Sequence, residues 1–186
     1  MGRAFAKTMF SDAAKRLQER YGSRAQYERL AERGEIRDAL GPMERDFIAR
    51  RDSFYLASVT ADGWPYVQHR GGPKGFLRVL DGKTLAFADF TGNKQYISAG
   101  NLATNDKVAL FLMDYPYQAR LKMIGHARVV EGDKALEAKV RVEGYTAKVE
   151  WVMVVDVVAY DWNCSQHITP RWTREEIEAV LASGGA

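Results

Sequence analysis

Cysteine is almost missing from this sequence. Cys164 stands alone among 186 residues, so no intrachain disulfide is possible and nothing calls for an oxidising compartment. Long apolar runs are missing as well. The first ten residues carry positive charge but lack the apolar stretch of a signal peptide. The longest apolar segment, 151–160, is interrupted by Asp156 and falls far short of the about 20 residues that a membrane helix needs. These absences lead to the expectation of a cytoplasmic protein with no membrane partner. Charge of one sign is also scarce in excess. The formal net charge is +3, from 27 Lys and Arg against 24 Asp and Glu, and no basic stripe interleaved with aromatics is visible, so nucleic acid is not an expected partner.

Catalytic signatures are equally sparse. His69, His126 and His167 lie far apart and none has a partner at metal-ligand spacing, so no zinc or iron site is expected. There is no Gly-x-Ser-x-Gly elbow to expose a nucleophile and no Gly-x-Gly-x-x-Gly turn after a first strand. Cys164, beside Asn163 and near His167, has the chemistry of a nucleophile, but a lone cysteine is usually a small packed thiol.

What is present is an ordinary globular composition with helical periodicity first and strand periodicity after it. Ser11 predicts the N-cap of a helix to about Arg20, a second helix spans 24–33 and stops at Gly34, and a third starts at Pro42 with Met43, Phe47 and Ile48 as its apolar stripe. From Ser53 the pattern predicts strands over 54–60, 64–70, 75–80, 84–88, 108–114, 119–131 and 149–160. Asp81-Gly82 is a hairpin signal; short helices are expected over 95–102 and 134–143, and a final one is capped by Thr173. Antiparallel strands at short spacing with few helices between them predict a mainly β barrel or sandwich rather than a doubly wound sheet.

The stretch 63–101 has the character of a site. Gln68-His69-Arg70-Gly71-Gly72-Pro73 ends one predicted strand, and Asp89-Phe90-Thr91-Gly92-Asn93-Lys94-Gln95 opens a short helix. Arg70 and Lys94 suit an anion, Thr91 and Asn93 suit its oxygens, and the glycines allow close approach to the backbone. A third polar and aromatic cluster runs from Asp161 through Trp162, Gln166 and His167 to Arg171. Loops of that composition are more often functional than core positions are.

With these phrases the sequence resembles the pyridoxamine 5′-phosphate oxidase-like proteins, the flavin-binding split-barrel family. The likeness runs from about residue 45 to 171, and it also rests on Leu85-Ala86-Phe87-Ala88-Asp89-Phe90, Asn101-Leu102 and Val108-Ala109-Leu110-Phe111-Leu112-Met113-Asp114-Tyr115-Pro116. The resemblance implies an antiparallel split β-barrel over 52–172, preceded by a helical extension over 1–51 and followed by a C-terminal helix over 173–186. It implies a homodimer with FMN at the interface, F420 or haem being the alternative cofactors. The strand ending at Arg70 and the Asn93-Lys94-Gln95 segment would hold the phosphate. Arg120 falls where the family places a Gln against the flavin, and Trp162 and Arg171 fall where an aromatic and an arginine reach across from the second subunit. The oxidases' Arg-Leu-His phrase is replaced by Arg171-Trp172-Thr173, so vitamin B6 oxidation is not expected. The implied activity is an FMN-dependent oxidoreductase on a small-molecule substrate, with a reductase or ferredoxin-type electron donor. The alternative is a carrier without turnover, and no single catalytic side chain stands out.

Overall fold

The computed structural model describes residues 1–162 and 166–183. Four helices come first: α1 (Arg3–Met9), α2 (Asp12–Arg20), α3 (Arg24–Arg33) and α4 (Pro42–Ala49). Strands β1 (Ser53–Val59), β2 (Pro65–Gly71), β3 (Arg78–Val79) and β4 (Thr84–Phe90) precede helix α5 (Ile97–Leu102). Strands β5 (Lys107–Asp114) and β6 (Ala119–Val130), helix α6 (Lys134–Val140), strand β7 (Val149–Trp162) and helix α7 (Arg174–Ser183) complete the chain.

All seven strands form one antiparallel sheet in the order β2-β1-β5-β6-β7-β4-β3. Alternation decides which face of this sheet is inside. Phe54, Leu56, Leu110, Leu112, Leu121, Met123, Leu85, Phe87, Met153 and Val155 point inward and make the main core with Phe47, Ile48 and Phe76. The sheet rolls until the ends of β2 and β4 approach, but these two strands share no ladder. The gap is bridged by the Arg70–Asp89 ion pair at 2.5 Å. The fold is therefore a split antiparallel barrel, mainly β; the strand pattern predicts an antiparallel barrel or sandwich, and the resemblance implies the split form. Helix α5 packs on β1 and β6; its Asn101 Nδ2 donates to the buried Ser58 Oγ at 2.9 Å and its Ser98 Oγ donates to Gln68 Oε1 at 3.0 Å.

Where local chemistry is decisive, the expected elements appear close to their expected bounds. Ser11 Oγ accepts from Ala14 N to cap α2. Thr173 and Glu176 cap α7 reciprocally, with Thr173 N donating to Glu176 Oε2 at 2.7 Å and Glu176 N donating to Thr173 Oγ1 at 3.2 Å. Elsewhere the structure corrects the sequence reading. The strand expected over 75–80 shrinks to Arg78–Val79 because Gly75 takes φ +77° and its N–H bonds Arg51 O, turning Phe76 and Leu77 into the core. Helix α5 starts at Ile97 because Lys94 and Tyr96 have left-handed backbones, and α6 ends at Val140, where Arg141 becomes extended. Met43 stays exposed while Phe47 and Ile48 are buried. Helix α1 was not expected. It packs on β7 and α3, and it is tied to the following segment by Arg3 N to Glu35 O and Ala4 N to Ile36 O. Among the described residues no helix is long and apolar enough to cross a membrane.

Candidate cofactor site

Strand β2 divides the predicted site residues by parity. Gln68 and Arg70 pair with Leu56 and Phe54 and share their inward face; Val67 and His69 pair with Ala57 and Tyr55 and face the other way. Two separate cavities result.

The first, about 280 Å3, gathers Gln68, Arg70, Asp89, Asn93, Lys94 and Gln95. Its charges are more balanced than the sequence suggests. Arg70 and Asp89, each 13% exposed, hold each other, and Trp151 Nε1 donates to the second Asp89 oxygen at 3.0 Å. Burial pushes the Asp89 carboxyl above its ordinary value even though Arg70 and Trp151 pull it down. Arg70 therefore does not reach into the cavity as an unpaired cation, although its buried Nε has no acceptor. Lys94 makes no ion pair among the described residues, and it sits on a loop shaped by Asn93 Oδ1, which accepts from Gln95 N at 3.1 Å. Tyr96 donates to Glu150 at 2.7 Å, which raises the phenol's pKa, and its ring leans on Trp151. Tyr66, Ser98, Glu150 and Trp151 also belong here. Alternation could have placed Tyr66 with Gln68 and Arg70. Trp151 has no sequence signal, since it arrives through the pairing of Asp89 with a strand 62 residues later.

The second cavity, about 810 Å3, lies over the outer face and takes in Arg120, His167 and Arg171 with Lys122, Tyr55 and Tyr115. Among the described residues no carboxylate lines it. Arg120 lies over the Phe111 ring at 5.8 Å with its Nε buried and without an acceptor, and Arg171 lies over Tyr115 at 5.0 Å. Burial and a hydrogen bond with Tyr55 push the Tyr115 phenol above its ordinary value. His167 is held with φ +64°.

Three sequence assignments look different here. Trp162 donates its Nε1 to Glu44 Oε1 at 2.8 Å and packs edge-on against Phe47 at 4.8 Å, so in this chain it finishes the core. Gly72 N already donates to Asp52 O at 2.9 Å, so it is not the free backbone group that the sequence suggests for close approach. A Cβ at Gly72 would meet Phe76 at 2.7 Å, which explains the glycine, while Gly71 lies within the β1–β2 ladder. His69 stacks edge-on against Tyr55 at 5.7 Å and, with Arg70 and Asp89, lines a small separate pocket of about 130 Å3. Gln166 is exposed. Asn163 and Cys164 lie outside the described residues.

A split antiparallel barrel with polar clusters at its seam defines a class of small β-barrel proteins, and the comparisons specify it. Residues 40–163 match the family model described as pyridoxamine 5′-phosphate oxidase, and the chain belongs to that family. HupZ from Group A Streptococcus matches with a TM-score of 0.55 and 19% identity, over 72% of this chain and 99% of that one. A protein from Lactobacillus delbrueckii described as a candidate pyridoxamine 5′-phosphate oxidase matches with a TM-score of 0.51 and 25% identity, over 67% of this chain and 94% of that one. No curated protein matches the chain.

A phosphorylated flavin fits the donor set present. Lys94 with the Asn93 and Gln95 amides and the orphaned Arg70 Nε offer donors to a phosphate, and Arg120 and Arg171 offer cations on an apolar floor. The cavity beside Lys94 lies just below the roughly 300–1,000 Å3 typical of small-molecule sites, so it suits the phosphate end better than the whole cofactor.

Proposed function

We propose that this protein is a homodimeric, FMN-binding oxidoreductase in which each site is made by two subunits. The carrying observation is the division of the site residues: Gln68, Arg70, Asp89, Asn93, Lys94 and Gln95 surround one cavity, while Arg120, His167 and Arg171 surround another on the opposite face of β2. One copy leaves them apart; a second copy placing its Arg120 and Arg171 beside the first copy's β2 edge would complete a site around one flavin.

In this reading Lys94 neutralises the phosphate, the Arg70 Nε donates to it, and Asn93 holds the loop that presents Lys94. The carboxylate-free outer cavity places positive charge and aromatic surface against the ring. Bound flavin would supply hydride or electron transfer, and the protein would supply position, exclusion of water and field. The substrate is a small molecule, with electrons from a reductase or ferredoxin-type donor.

The test is an absorbance spectrum of the purified protein, with the bound molecule released by denaturation and identified by mass. Flavin bands and the mass of FMN, followed by reduction with NADH or NADPH and reoxidation, are the expected result. A sample that stays colourless after incubation with FMN sinks the proposal.

A further inference from the structure

A third cavity, about 490 Å3, lies between α6 and the loop that leads into β7. It adjoins the Lys94 pocket, because Phe90 lines both and Thr91 N donates to Lys148 O at 2.9 Å, setting the two loops side by side. Its charge is one-sided. The lining carboxylate, Glu137, is already paired with Lys134 at 2.8 Å, whereas Arg141 and Lys148 have no carboxylate partner among the described residues. Its aromatic group is prepared too: Tyr145 is held edge-on against Phe90 at 5.0 Å and is 42% exposed, leaving ring surface for a flat ligand, with Val142 and Val149 as apolar walls.

A ring to stack on, two unpaired cations and room for a base with its sugar meet the needs of a nucleoside diphosphate. We propose that this cavity binds the ADP group of a dinucleotide whose other half serves the neighbouring site. It rests on the flavin reading only for that neighbour. Two sources share the chemistry, FAD as the cofactor itself and NADH or NADPH as its reductant.

The experiment titrates the full chain with ADP by calorimetry, in parallel with FMN, for the wild type, Tyr145→Ala, Tyr145→Phe and the double variant Arg141→Ala/Lys148→Ala. ADP binding should fall about tenfold in Tyr145→Ala and in the double variant and be kept by Tyr145→Phe, with FMN affinity unchanged throughout. FAD binding more tightly than FMN, with the advantage erased by the double variant, identifies the cofactor as the source. Equal FAD and FMN affinities with NADH or NADPH displacing ADP identify the reductant. Absence of ADP binding at millimolar concentration, or binding indifferent to these substitutions, overturns the subsite. Should Tyr145→Ala fail to fold, the double variant, confined to exposed side chains, decides. ADP binding that obeys the substitutions in a protein that takes no FMN sinks the flavin reading and leaves the subsite.

Discussion

At the scale of single residues, the Arg70–Asp89 pair is the hinge between stability and function. Both side chains are largely buried, so removing one partner leaves a desolvated charge. Arg70→Ala should cost about 3–5 kcal/mol in urea unfolding without ligand, and Arg70→Ala/Asp89→Ala should recover much of it. A stable single variant would mean that the pair does not close the barrel. The raised Asp89 pKa has a definite sign. Folding favours its protonated form, so this contribution is complete below the ordinary carboxylate value near 3.8 and is lost as pH rises through the raised folded value. Asp89→Asn should flatten that part of the stability profile. Tyr160 obeys the same rule at the alkaline end. Burial, with the Glu44 carboxylate beside it, pushes the phenol from 10.0 to about 12, so the stability it lends is full below pH 10 and is lost as pH rises through about 12. An alkaline titration of the phenolate band should show a late step in the wild type that is missing in Tyr160→Phe.

At the scale of elements, one irregularity shapes the long β6–β7 ribbon. The register shifts between Ile124 and Gly125, and a Cβ on Gly125 would lie 2.4 Å from Asp156 O, a backbone atom unable to yield. Gly125→Ala should destabilise the fold by about 1–3 kcal/mol, read as a lowered unfolding midpoint, and an unchanged midpoint would show that the ribbon relaxes freely there. Most elements were legible because their determinants are local. Ser11, Thr173 and Asp81-Gly82 set caps and turns through bonds to near neighbours, as when Asp81 Oδ1 accepts from Lys83 N at 2.7 Å, and Pro42 starts its helix through its fixed φ. Helix α1 and the shortened β3 were not legible. The first depends on bonds from Arg3 and Ala4 to the carbonyls of Glu35 and Ile36, and the second on Gly75 docking against Arg51 O.

At the scale of the whole molecule, a shared site makes a prediction that a single-subunit site does not. Lys94→Ala and Arg120→Ala chains should each lose flavin, whereas unfolding and refolding them together should restore about one site in four, because half of randomly paired dimers are mixed and each carries one intact site. Titrated flavin per chain checks this, and no recovery on mixing would place both residues in one subunit's site or in none. Light scattering should give the mass of a dimer.

Strand parity, cap chemistry and the phrases around Arg70, Lys94 and Arg171 established from sequence alone the split barrel and its family, because each signal lies within a few neighbours along the chain. Only the tertiary structure decided how those residues combine. Asp89 comes to neutralise Arg70 across the barrel seam, Trp162 turns into the core against Phe47, and Lys94 and Arg120 fall on opposite faces of one rolled sheet. The physical reason is that pairings such as Asp89 with Trp151, or Arg70 with Asp89, are set by how the whole sheet closes. That closure minimises exposed apolar area over the entire core, and no local stretch of sequence encodes it.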